Sequence, residues 1–366
     1  MSRLPAEDLE ALCTLRSSLW KELDGARLFI TGGSGFFGRW LVESAFHARD
    51  RFGLDLEITL LSRSPERVMA KYPHWCGIEG LHWLEGDVRN FDFPARCFSH
   101  VIHAATDTSP TDQANSAALI DTIVGGTQRV LNFAAQQGVR RFLYVSSGAV
   151  YGRRAKIDAY SEDHLYAPDS MNPHASYGMS KHFAEHWGMV KARTCGIEFV
   201  VARCFAFVGP GLPMDGHFAI GNIIRDALYS PEIVLHGDGT PVRSYLYSAD
   251  LAVWLYDLLL RGTPGRAFNV GSDTPITIGN LARLVRDLIS PEKGITIKST
   301  NIAKLATDIY LPDIHRAQQE LALEVWTPLE ISIKKTAEWV QKQTLAIPLS
   351  INHGELNQAE FSEKLR

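Results

Sequence analysis

Near-continuous apolar stretches alternate with amphipathic ones through the first half of the chain. Ala26–Ile30, Leu56–Leu61, Leu81–Leu84, His100–His103 and Arg141–Ser146 read as strands. A helix is expected from about Phe36 to His47. A longer one is expected from about Ala114 to Gln137, with Ile120, Ile123, Val124, Val130 and Leu131 as its apolar stripe and Gly138 as its stop. Strands that are apolar on both faces and separated by helices predict an α/β fold with a parallel sheet covered on both sides. Upstream, Leu9, Leu12, Leu15 and Leu19 recur near helical spacing over residues 5–22, with Glu7 and Asp8 in the first turn. That segment is expected to serve packing or an oligomer contact. Near residue 205 the texture changes: Gly209, Pro210, Gly211 and Pro213 punctuate the chain and the strands shorten.

This pattern predicts a helical extension over 1–24, a dinucleotide-type sheet domain over 25–205, a smaller mixed α/β domain built mainly from 206–345, and a polar tail over 346–366. The 366 residues are 45% hydrophobic and 21% charged, which excludes a mainly disordered or fibrous chain. Lys plus Arg is 37 against 41 Asp plus Glu, so no basic footprint for nucleic acid is present. No apolar run reaches the roughly 18 residues of a membrane span, and the polar, acidic N-terminus does not read as a signal peptide. Cys13, Cys76, Cys97, Cys195 and Cys204 are scattered without a C-x-x-C pair, which argues against a disulfide framework or a zinc site. A cytoplasmic protein without metal is the expectation.

Candidate chemistry begins at the first strand-to-helix turn. Gly32, Gly35 and Gly38 form G-x-x-G-x-x-G, with Phe36 and Phe37 opening the helix. Gly32 permits a tight turn, Gly35 lets the backbone approach a pyrophosphate, and Gly38 permits close helix–sheet packing. The helix N-terminus offers free N–H groups to an anion. An acidic residue at the end of the second strand would select NAD, but the chain has Ser62–Arg63 there, and Arg63 could meet a 2′-phosphate. NAD and NADP both stay open. Asp87, followed by Val88, suits a contact to the adenine edge.

Ser147 ends the fifth strand, and Tyr177 and Lys181 follow at i and i+4 on one helix face. A phenol with a pKa of about 10 is a poor base at neutral pH. A nearby ammonium and an oxidised nicotinamide both favour the phenolate. Ser147 can hold the substrate oxygen. The set suits proton transfer on a carbinol or ketone coupled to hydride transfer.

With these residues in place, the chain resembles the extended short-chain dehydrogenase/reductase superfamily, in particular its NAD-dependent epimerase/dehydratase group, which acts on nucleotide sugars. The resemblance rests on TGGSGFFG at 31–38, GDV at 86–88, HAA at 103–105, SSGAVYG at 146–152, YGMSK at 177–181, GPG at 209–211, GDGTPVRSYLYSADLA at 237–252 and NVGS at 269–272. It implies a doubly wound Rossmann sheet, with residues of about 240–275 returning to it from the smaller domain. It implies Ser147 as the hydroxyl beside the reacting oxygen, Tyr177 as acid/base, and Lys181 on the nicotinamide ribose. Ala104 and Ala105 would line the cofactor, with Thr106 near the sugar. Ser147, Gly148 and Tyr177 would meet the substrate, and Arg243 its pyrophosphate. It also implies a homodimer through the helices at 114–137 and around 177–181.

The chain departs from the family where chemistry is decided. Dehydratases of the group carry Asp–Glu directly after the catalytic hydroxyl residue, and the decarboxylases carry Glu at the second position. Here these positions are Gly148 and Ala149, which cannot move a proton. Ala206 stands where Asn is frequent in the Arg-x-x-Asn-x-x-Gly-Pro stretch, and Ile123 where the helix motif usually has Asn. The expected function is therefore a nucleotide-sugar epimerase with a bound nicotinamide cofactor. The alternative is an NADPH-dependent keto-sugar reductase, ahead of a 4,6-dehydratase or a non-catalytic dinucleotide-binding protein.

Overall fold

The computed structural model describes residues 1–106, 116–154, 158–216, 218–299 and 308–345. The start of the expected helix at 114 and the 346–366 tail lie outside the described residues. The central sheet takes β1 (Arg27–Thr31), β2 (Glu57–Ser62), β3 (Leu81–Glu85), β4 (His100–His103), β5 (Arg141–Ser147) and β6 (Glu198–Cys204). Further along come β7 (Phe207–Val208), β8 (Ile233–Leu235), β9 (Val242–Arg243), β10 (Leu246–Tyr247) and β11 (Ala267–Val270). β12 (Ile276–Thr277), β13 (Ile295–Ile297) and β14 (Ile309–Tyr310) complete the strands. The seven-stranded sheet has the order β11-β6-β5-β4-β1-β2-β3 with every pairing parallel. That is the doubly wound order, with the topological switch between β1 and β4. The α/β parallel sheet expected from the apolar runs is the one observed.

Both faces of this sheet are covered. On one side the helices Phe36–Phe52 and Ser248–Arg261 bury Trp40, Leu41, Trp254 and Tyr256 against Leu28, Ile30 and Leu143. On the other, helix Gly126–Gln136 buries Val130, Leu131 and Phe133 against Phe29, Val101 and Phe142. Phe133 is the hub of an aromatic cluster, with ring centroids 4.5 Å from Phe29, 5.3 Å from Phe98, 5.4 Å from Phe93 and 5.6 Å from Phe91. A separate core joins the helices Ala219–Tyr229, Ile278–Ile289 and Leu329–Leu345 through Ile223, Ile224, Leu281, Val285 and Ile333. The small β12-β9-β14 sheet stands beside it.

The helix expected over Phe36–His47 runs on to Phe52, and two others are interrupted where the sequence suggested continuity. The N-terminal segment breaks at Arg16 into Ala6–Leu15 and Ser17–Lys21. The Trp20 indole donates to the Leu12 carbonyl, and the Arg16 guanidinium is drawn to the carbonyls of Leu321 and Ala322. Leu9, Leu12 and Leu19 are buried within the chain, so this segment packs onto the sheet domain. The long helix contains a π turn at Asp121–Gly125 between Ser116–Ile120 and Gly126–Gln136. Gly126 follows that turn, where a Cβ would lie 2.8 Å from a Val88 methyl, so the wide turn and the missing side chain together let the helix approach the β3 end. Among the described residues no helix is long and apolar enough to cross a membrane.

Phe133→Ala removes the fully buried hub of this cluster, and we expect a loss of about 3–5 kcal/mol of stability. A denaturant-unfolding midpoint measured against the wild type checks it, and a loss below about 1 kcal/mol would show that the cluster is not the core of that face.

Candidate active site

The glycine turn follows from its steric surroundings. Gly32 has φ +74°, and a Cβ there would lie 2.6 Å from the Ala104 carbonyl group. Only glycine meets both conditions without strain. A Cβ on Gly38 would lie 2.3 Å from Gly33 Cα, so this position is a packing contact between loop and helix. At Gly35 the nearest atom to a Cβ would be Gly32 O at 3.5 Å, leaving that side of the backbone open for close approach of a ligand. Gly35 precedes helix Phe36–Phe52, whose first N–H groups have no intrahelical partner. Phe36 packs against the core of the smaller domain, and Phe37 lies edge-on to Phe207 at 4.9 Å. Beneath the loop, Thr31 Oγ1 lies 2.7 Å from His103 Nδ1, and His103 Nε2 lies 3.0 Å from Thr127 Oγ1. Burial, aided by the Lys181 ammonium, draws the His103 pKa down to about 3 and keeps the ring neutral. The Ala105 N–H donates to Thr31 Oγ1 at 3.1 Å, which fixes the Ala104–Thr106 turn at the end of β4. The Thr106 hydroxyl donates to the Ala105 carbonyl.

At the far end, the Ser62 hydroxyl accepts from the Ser64 N–H at 3.2 Å, shaping the exit of β2 toward Arg63. Asp87 is bound by its neighbour: Arg89 donates to it from its backbone N–H at 2.9 Å, from Nε at 2.8 Å and from a terminal nitrogen at 3.0 Å. These bonds hold the carboxyl below the usual range, with Arg63 adding to the effect. Arg89 also pairs with Asp121 at 2.8 Å.

Ser147 closes β5, and its hydroxyl accepts from the Ala149 N–H at 3.2 Å. The helix Ser176–Cys195 crosses just above, so close that a Cβ on Gly178 would sit 2.5 Å from the Ala149 carbonyl oxygen. This contact brings Tyr177 beside Ser147. Burial pushes the Tyr177 phenol up to about 12, and the Ser147 hydrogen bond pulls the other way. One turn later Lys181 is buried, donates to the Val145 carbonyl at 2.8 Å and lies 5.0 Å from the Tyr144 ring centre. Desolvation draws its ammonium down to about 8, against the pull of Cys204 and Glu185. Behind the site the Ser146 hydroxyl donates to Glu185, which pairs with Arg203 at 2.7 Å, and Arg203 donates to the Tyr151 hydroxyl at 2.9 Å.

Arg243 sits on β9 between β12 and β14, ion-paired with Asp308 at 2.8 Å and 5.8 Å from the Tyr310 ring centre. Gly148 faces two residues that sequence reasoning missed. A Cβ there would lie 2.7 Å from the Phe205 ring and 2.8 Å from the Tyr310 hydroxyl. Tyr310 lies on a two-residue strand far along the chain, and nothing in its local pattern marks it. Asp308, Glu185 and Arg203 were likewise missed, because a charge partner is visible only once strands are paired.

Every sequence-selected position except Gly38 lines a single cavity of about 2510 Å³. A site for one drug-sized ligand is roughly 300–1,000 Å³, so this volume has room for a dinucleotide and a second ligand end to end. The open backbone at Gly35, the unpaired helix N-terminus and the Lys181 ammonium near the Ser147–Tyr177 pair fit a nicotinamide dinucleotide laid across the strand ends. Among the described residues no group of His, Cys, Asp or Glu is placed to hold a metal ion.

This arrangement defines a doubly wound nucleotide-binding protein with a Ser/Tyr/Lys set at its strand ends. The NAD dependent epimerase/dehydratase family pattern matches residues 28–271, and the chain belongs to that family. Among similar proteins is UDP-glucuronic acid decarboxylase 1 of Xenopus tropicalis, 28% identical over 324 residues that cover 88% of this chain and 74% of that protein. A UDP-glucose 4-epimerase of Thermotoga maritima, solved with UDP-glucose, superposes with a TM-score of 0.73 at 21% identity, covering 87% of this chain and 99% of the other. A dTDP-glucose 4,6-dehydratase of Bacillus anthracis, solved with NAD, gives 0.69 at 20% identity, covering 87% and 97%.

Gly32→Ala must take a positive φ and meets the Ala104 backbone. We expect nicotinamide dinucleotide binding to weaken by about tenfold or more, in line with strain of about 1–3 kcal/mol. A fluorescence titration with NADH or NADPH reads the change, and an unaltered affinity would remove the loop from the binding site.

Proposed function

We propose that this protein is a nucleotide-sugar epimerase that oxidises its substrate transiently to a keto-sugar and reduces it again within one site. The reading rests on one observation above the others. The Ser147, Tyr177 and Lys181 set is complete, while positions 148 and 149 carry no acid and the space beside Gly148 is filled by Phe205 and Tyr310. Elimination or decarboxylation chemistry of the family's usual kind lacks its carboxylate, although relatives named for both reactions are similar in sequence.

Tyr177 removes the proton from a sugar hydroxyl whose oxygen is held by the Ser147 O–H. In this reading Lys181 favours the phenolate by its charge and holds the nicotinamide ribose. A bound nicotinamide cofactor supplies the reversible hydride acceptor. After the proton leaves, Ser147 and Tyr177 hold the ketone oxygen. Rotation of the sugar presents its other face before Tyr177 returns the proton. In this reading Arg243, whose guanidinium pairs with Asp308, meets the diphosphate of a nucleotide-diphosphate sugar.

A second reading has its own support. β2 ends without a carboxylate, at Ser62–Arg63, which suits a 2′-phosphate and so an NADPH-dependent reductase of keto-sugars. Two incubations with NADPH separate the readings, one with a nucleotide sugar in its hydroxyl form and one with its 4-keto form. Isomer exchange of the hydroxyl form at constant cofactor is the expected result, and stoichiometric NADPH consumption by the 4-keto form without isomer exchange of the hydroxyl form would overturn the epimerase reading. Tyr177→Phe is expected to lower kcat by about 10²–10⁴-fold, and intact turnover would remove Tyr177 from the mechanism.

We also propose a homodimer through the helices Ser116–Ile120, Gly126–Gln136 and Ser176–Cys195. Ile120, Phe183, Met189 and Val190 are exposed there, as an isologous helix contact requires. Light scattering at micromolar concentration should give twice the chain mass of 40.7 kDa, and a monomer would contradict the proposal.

A further inference from the structure

Ser147 has a neighbour that the Ser/Tyr/Lys pattern does not include. Tyr310 reaches the site because β14 pairs with β9 in a register that sets Tyr310 beside Arg243. Its ring packs on Phe205 with centroids 4.6 Å apart, and its hydroxyl lies 3.4 Å from Ser147 Oγ. Tyr310 Oη also occupies the room that a side chain at position 148 would need, 2.8 Å from where its Cβ would be. One phenol therefore stands where dehydratase-like members of the family place an acid, and it touches the hydroxyl beside the reacting oxygen.

Hydrogen-bond accounting gives this contact a direction. Ser147 Oγ has one proton and two lone pairs. The Ala149 N–H takes one lone pair at 3.2 Å. If the Tyr310 O–H takes the other, the Ser147 proton has only Tyr177 or a substrate oxygen to point at. Burial raises the Tyr310 phenol above its ordinary value, so it remains a donor at neutral pH. Its single proton has a competing acceptor, the Cys204 carbonyl at 3.5 Å.

We propose that Tyr310 is a positioning residue for the Ser147–Tyr177 pair: its phenol fills the place of a side chain at 148 and donates to Ser147, which directs the Ser147 O–H toward Tyr177. The proposal rests on Tyr177 being the acid/base of the reading above. It adds that the reactivity of Tyr177 is tuned from the smaller domain as well as from Lys181. The groups facing the two phenols are Ser147 and Tyr144 on β5, the Cys204 thiol and carbonyl on β6, and Arg243 with its partner Asp308, while the Lys181 ammonium, one turn along the helix of Tyr177, interacts with Cys204 and Glu185. The Tyr310 hydroxyl acts on Tyr177 through Ser147. A hydrogen bond given to the phenolate lowers the Tyr177 pKa, so losing the Tyr310 hydroxyl should raise it.

The test is a tyrosinate absorption titration of the protein saturated with its oxidised nicotinamide dinucleotide, with the Tyr177→Phe protein subtracted to isolate the Tyr177 step. In Tyr310→Phe, which keeps the ring and loses the hydroxyl, that step should move up by about half a pH unit or more. The rising limb of kcat against pH should move with it, and KM should change less than kcat. Gly148→Ala, whose methyl would displace the Tyr310 hydroxyl, should move the Tyr177 step in the same direction, and it decides the matter if Tyr310→Phe does not fold. An unmoved step, or one that moves down because the proton belongs to the Cys204 carbonyl, overturns the proposal. This readout needs no substrate. Lack of turnover with every nucleotide sugar tried would count against the proposed reaction, whereas an unmoved Tyr177 step would count against Tyr310 alone.

Discussion

A lysine ammonium buried at the end of a parallel sheet has to be satisfied where it lies, because desolvation penalises its charge by several kcal/mol. Lys181 meets that constraint by donating to the Val145 carbonyl, two residues before the end of β5, with Glu185 one helical turn away on the same helix. The bond ties the helix Ser176–Cys195 to the strand that carries Ser147. Gly178 makes the tie geometrically possible, since any side chain there would strike the Ala149 carbonyl. Tyr177 is then fixed beside Ser147 by its position on that helix. The arrangement extends backward through Ser146, Glu185, Arg203 and Tyr151 to Asn269 on β11. The strand that returns from late in the chain thus braces the strand that carries the reactive hydroxyl.

The same sheet aligns the other half of the site. Parallel pairing puts the ends of β1, β4 and β5 along one edge, with Thr31 opposite His103 and His103 opposite Tyr144. The glycine turn leaves β1 at that edge, and the Thr31–His103–Thr127 chain stiffens the floor beneath it with a ring kept neutral by burial. A dinucleotide lying across these ends would run from the Ser62–Arg63 exit of β2 to Lys181. The cavity continues past it to Arg243, where room for a second ligand remains.

Much of this was legible in the chain because the signals are local. The sheet showed in runs such as Phe142–Val145, apolar on both faces, and the turn showed in Gly32, Gly35 and Gly38. The Tyr177–Lys181 spacing needs only one helix to carry meaning. The illegible part depends on pairing between distant segments. Tyr310 and Arg243 meet because β14 adds to β9, and Asp308 completes the arginine from the same segment. Asp87, expected at the adenine edge, does line the cavity, and it also takes hydrogen bonds from Arg89 that its motif does not announce. The break at Arg16 and the π turn at Asp121–Gly125 follow from contacts with Leu321, Ala322 and Val88, which no helical periodicity contains.

Charge balance takes on a definite meaning in this setting. A net charge of −4 looks indifferent to anions, yet under the proposed function the diphosphates would be met locally by backbone N–H groups of the glycine turn and by the Arg243 guanidinium, without an excess of basic residues. The central claim is that Tyr177, Ser147 and Lys181 move a proton while hydride leaves and returns within one closed site. Its most direct measurement is the fate of deuterium placed on the carbon that inverts in a nucleotide-sugar substrate. The account predicts that the product keeps the label at that carbon with no change in the amount of oxidised cofactor. Label appearing in released reduced cofactor, or replaced by hydrogen from solvent, would contradict it.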